Sequence, residues 1–109
     1  MITYEIYDLA GAPTLNTNTI DDQLTSAELY LTSAQCADIS PTTSWTLVMA
    51  AAPEQDLLAL FRDASAAHEI KLRSANQGAP SDQGTRIGPY EVRRVRVRSG
   101  WSLWVRAKP

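Results

Sequence analysis

Residues 1–61 contain no lysine and no arginine. They carry eight acids (Glu5, Asp8, Asp21, Asp22, Glu28, Asp38, Glu54 and Asp56), a formal charge of −8. Residues 62–109 hold all ten bases and four acids (Asp63, Glu69, Asp82 and Glu91), a formal charge of +6. The halves sum to −2. Generic nucleic-acid binding is disfavoured, because dedicated binders are basic overall. Such a split is resolved either half against half within the fold, or as a dipolar molecule whose poles steer partners.

Cysteine is almost absent. Cys36 stands alone, which excludes an internal disulfide and fits a reducing, cytoplasmic compartment. It reads as a small buried hydrophobe. His68 is the only histidine, and no Cys/His spacing or calcium-loop pattern accompanies it. Asp21 and Asp22 are better explained as acids at a helix start than as metal ligands. No metal and no cofactor is expected. No apolar run approaches the ~20 residues of a membrane span, so no membrane association is expected. Met1-Ile2-Thr3-Tyr4 lacks a basic region and meets Glu5 at once, unlike a signal peptide. Phosphate-loop, dinucleotide and nucleophile-elbow motifs are all missing. Gly84-Thr85-Arg86-Ile87-Gly88 has only the composition of a glycine loop. With no catalytic constellation, the chain is expected not to be an enzyme.

What is present fits one domain over 1–109. Residues 2–9 alternate, with Ile2, Tyr4 and Ile6 on one side, and predict a strand. Ile20, Leu24, Ala27, Leu31 and Ala34 fall at helical spacing and predict a helix over 21–36, although 27–32 also alternates. Residues 45–50 are apolar on both sides and predict a central strand. Pro53, then Glu54 and Asp56, then Leu57, Leu60, Phe61 and Ala64 predict a second helix over 53–67. Residues 69–73 alternate with Ile70 and Leu72 inward. Residues 74–89 read as a long loop carrying Arg86, with the length of functional or disordered loops.

Residues 90–107 read as a C-terminal hairpin about Arg98-Ser99-Gly100, with Gly100 left-handed. The preferred register pairs Val97 with Trp101 and Val95 with Leu103. A bulge at Arg93-Arg94 would absorb the change of phase upstream. The expected fold class is therefore α+β: a two-layer sandwich of order β-α-β-α-β-β-β. Its five-stranded, mixed or mostly antiparallel sheet carries two helices on one face.

The hairpin's polar face collects the binding candidates. Arg94 would lie opposite Trp104, flanked by Arg96 and Arg106, with Arg98 at the tip and Arg86 in the preceding loop. Arginine forks and tryptophan faces anchor interfaces and bind phosphates. The same arginines would also block edge pairing or match the acidic half. The expectation is a small binding module that docks on another protein or on itself, of the kind phages and other mobile elements encode. The alternatives are a single-stranded nucleic-acid or phosphate ligand on the same face, and a small-ligand or enzymatic pocket between the open sheet face and the 74–89 loop, near His68.

Overall fold

The computed structural model describes residues 1–8, 19–20, 33–51, 57–74 and 76–109. The first expected strand is present as β1 (Ile2–Asp8), with Ile2, Tyr4 and Ile6 buried. Two further segments follow as β2 (Thr19–Ile20) and β3 (Ser33–Ile39). Residues 21–32 of the first expected helix lie outside the described residues; its last four residues open β3.

No helix occurs among the described residues, so the α+β expectation is wrong. The chain continues as β4 (Thr46–Ala50), β5 (Leu57–Arg62), β6 (His68–Ser74), β7 (Thr85–Ile87), β8 (Arg93–Val97) and β9 (Trp101–Ala107). β5 replaces the body of the second expected helix. Leu57, Leu58, Ala59, Leu60 and Phe61 are all buried, on both faces of the strand. A short, continuous apolar run serves a central strand as well as a buried helix, and periodicity does not separate them. The capping signals that favoured a helix lie in residues 52–56, outside the described residues.

The strands form two antiparallel sheets. One has five strands in the order β2-β8-β5-β1-β3, the other four in the order β4-β9-β6-β7. Ile2, Ile6, Phe61 and Val95 from the first sheet share one core with Ile70, Ile87, Leu103 and Val105 from the second. Two sheets facing each other across a common apolar layer make a β-sandwich. No helix among the described residues is long and apolar enough to cross a membrane.

The expected hairpin is also absent. β8 pairs with β5 and β2, whereas β9 pairs with β4 and β6. Arg98-Ser99-Gly100 therefore carries the chain from one sheet to the other. Gly100 does adopt the left-handed conformation (φ 82°), but in a link between layers. There its N–H donates to the Ala51 carbonyl at 3.4 Å, and the Trp101 N–H donates to the Arg98 carbonyl at 3.1 Å. Val95, Val97, Leu103 and Val105 point into the core in either arrangement. Alternation fixes which side chains are inward, but not whether two joined strands lie side by side or across the core.

Smaller corrections follow from the same topology. Among the described strands β4 lies at an edge rather than in the centre, with Thr46, Leu47 and Ala50 exposed. β8 starts at Arg93 with an unbroken register to β5, so the phase change marks a strand start and not a bulge. Tyr90 sits before it in a turn, at φ 59° and largely exposed. The 74–89 loop is interrupted by β7. The strand expected at 69–73 is found, within β6.

Candidate functional site

Alternation along β6 sends His68, Ile70 and Leu72 toward the other sheet and Glu69, Lys71 and Arg73 outward. On β9 the outward set is Ser102, Trp104 and Arg106. Directly paired residues share a face, so the ladders place three rows across the outside of the four-stranded sheet. Arg73, Ser102 and Ala50 form one row; Lys71, Trp104 and Leu47 the next; Arg86, Glu69 and Arg106 the third. The β4 side of this face is apolar, with Leu47 48% exposed. The β6 and β7 side is cationic.

Glu69 organises the third row. Its carboxylate is buried, accepts the Gly84 N–H at 2.8 Å and the Arg106 Nη2 at 3.0 Å, and lies 3.7 Å from the Lys108 Nζ. Burial alone would raise its pKa; the Gly84 N–H and the Arg106 and Lys108 charges outweigh burial and hold it below the ordinary carboxylate range. The Arg106 guanidinium lies 4.6 Å from the centre of the Trp45 ring, a cation–π contact. Trp45 in turn reaches Gly84. A Cβ on Gly84 would come within 2.4 Å of the Ile70 carbonyl oxygen and 2.8 Å of the Trp45 ring. Gly84→Ala is therefore expected to destabilise the domain by about 2–3 kcal/mol through overpacking against backbone. Urea denaturation would check this, and an unchanged midpoint would refute the close packing of Trp45 on β6.

Lys71 pairs with Asp82 and donates to the Gln83 carbonyl at 3.1 Å. Trp104 Nε1 donates to Ser102 Oγ at 3.1 Å, which donates to the Arg73 carbonyl at 3.1 Å. Around this face five cations (Lys71, Arg73, Arg86, Arg106, Lys108) accompany two carboxylates (Glu69, Asp82), a surplus of three positive charges.

The expected binding residues are divided. Trp104, Arg106 and Arg86 share this face. Arg94 and Arg96 lie on the opposite layer, paired with Leu60 and Leu58 on the outside of the five-stranded sheet. Arg94 therefore does not face Trp104, and Arg96 is 1% exposed, too buried to meet a ligand. Arg98 is exposed in the link between the layers. Leu47, Trp45, Lys71 and Arg73 were missed as site residues. The outward parity of Lys71 and Arg73 was legible in Glu69–Arg73; the place of Trp45 depends on tertiary packing.

His68 is buried on the inward side of β6, and its Nδ1 lies 2.8 Å from the Ala66 carbonyl oxygen. On the backbone it pairs with Ile87 of β7, inside the expected 74–89 loop. No group of three or more potential metal ligands occurs among the described residues. Cys36, expected to be buried, is exposed on β3.

The acids of the basic half find their counter-charges within that half. Among the described ion pairs, all four acids of residues 62–109 pair with bases of that same half. Arg62 also lies 3.6 Å from Glu5, a pair between the halves. Compared with protein-family models, curated proteins and solved structures, the chain matches none.

Proposed function

We propose that the chain is a non-enzymatic docking module, and that the outer face of its four-stranded sheet receives an acidic segment of another protein. The observation that carries this reading is the row Leu47–Trp104–Lys71, which sets exposed apolar surface beside positive charge. Arg73 and Arg86 flank the row and have no ion-pair partner among the described residues. A segment with carboxylates next to an apolar side chain satisfies both parts of the face. The charges supply steering and orientation, and Trp104 supplies a desolvated anchor.

Single-stranded nucleic acid is less well served. A stacking platform needs open aromatic faces beside phosphate ligands. Here Trp45 carries Arg106 on its ring, and Arg94 and Arg96 lie on the other layer. The test is fluorescence anisotropy with a labelled peptide of alternating glutamate and leucine, against a labelled mixed-sequence single-stranded oligonucleotide of equal charge. The peptide is expected to bind, and Trp104→Ala to weaken it by about tenfold, or ~1.4 kcal/mol. Tighter oligonucleotide binding, with a salt slope that falls by about one per removed base, would replace this reading with nucleic-acid binding. Binding of neither probe would refute the docking face.

A further inference from the structure

We infer that two copies of this chain pair through β4 to form a two-fold dimer with a continuous sheet. The inference concerns the sheet edge and stands apart from the docking face. An edge strand presents unpaired N–H and C=O groups, and proteins protect such edges with charge, proline, bulges or very short strands. The other edges follow that rule. β3 carries Asp38, β7 is three residues long and carries Arg86, and β2 is two residues long.

β4 departs from it. No charged residue occurs between Asp38 and Glu54, a run of fifteen residues in a chain with 22 charged ones. Among the described strands its single neighbour is β9. Thr46, Leu47 and Ala50 are exposed along it. Its one protective device is a bulge between Leu47 and Met49, which bends the strand without adding charge.

A second copy fits this edge better than an unrelated charged strand. In a two-fold antiparallel pair the residues near the axis meet their own copies, so a charge there would face a like charge. β4 has none to repel. The axis of such a pair runs perpendicular to the sheet, so both copies keep the same face outward. The two Leu47–Trp104–Lys71 rows then lie on one side of an eight-stranded sheet, which makes the dimer bivalent.

Sedimentation velocity on the whole chain, from about 1 to about 300 µM and at low and high salt, tests this. The wild type is expected to dimerise in both salts. Thr46→Lys and, separately, Ala50→Lys are expected to raise the dimer dissociation constant by about tenfold or more while keeping the far-ultraviolet circular dichroism of the wild type. Three results would overturn the inference: a monomer at the highest concentration, a dimer that both lysine variants leave intact, or a dimer that dissolves in high salt. The last would assign self-association to the charged faces instead. Peptide binding by a monomer would sink the dimer and leave the docking face standing.

Discussion

Leu58→Ala is expected to destabilise the domain by about 3 kcal/mol, the middle of the range for a buried leucine cut to alanine. Leu58 is 1% exposed, on the outer face of β5 between Tyr7 and Arg96. In a helix whose apolar side was Leu57, Leu60, Phe61 and Ala64, it would sit about 100° off that side. Truncation there would cost little, within the ~0.5 kcal/mol typical of surface changes. The substitution thus separates the two conformations open to this segment. A loss of about 3 kcal/mol is a large share of the 5–15 kcal/mol that holds an ordinary domain together. Urea denaturation followed by circular dichroism would measure it.

Glu69→Gln is expected to cost a similar amount, about 3 kcal/mol near neutral pH. Glutamine keeps an acceptor for the Gly84 N–H but leaves Arg106 and Lys108 without their buried counter-charge, and breaking one side of such a pair is more costly than never having built it. The pH dependence has a definite sign. The folded-state pKa of Glu69 is depressed below its unfolded value of about 4.3, so its contribution is complete above that value and is lost as pH falls through the lower folded one. The gap in stability between wild type and Glu69→Gln should therefore narrow as the solution is acidified through the carboxylate range. A gap that stays constant down to about pH 3 would mean that ionised Glu69 does not hold the row together.

Alternating segments are legible in both strand and inward face, whereas runs without alternation are less so: 45–50 is a strand as expected, but at an edge, and 57–61 is a strand and not a helix. β1 and β6 have one inward and one outward set, and both were legible as strands with the right faces. β5 has no alternation because both of its faces are covered, so its five apolar residues fitted a helix equally well. For β8 and β9 the inward valines and Leu103 were legible, but side-by-side and across-the-core arrangements share that pattern. The choice depends on partners far along the chain, β5 for one strand and β4 and β6 for the other. That non-local choice is why Arg94 and Arg96 were grouped with Trp104. The charge split was visible from the start, and its consequence, a cationic sheet face whose own acids are already paired, needed the ladders.

The most direct test of this account compares Arg73→Ala with Arg94→Ala in titrations of the alternating glutamate–leucine peptide, each variant first shown by thermal melting to be folded. Both are arginines on strands, so the two variants make the same chemical change, but they lie on opposite layers of the sandwich. Arg73→Ala is expected to weaken binding by about tenfold, and Arg94→Ala to leave it unchanged. Equal losses from both would mean that Arg94 on β8 shares a face with Arg73 on β6 after all, and would contradict the sandwich and its docking face together.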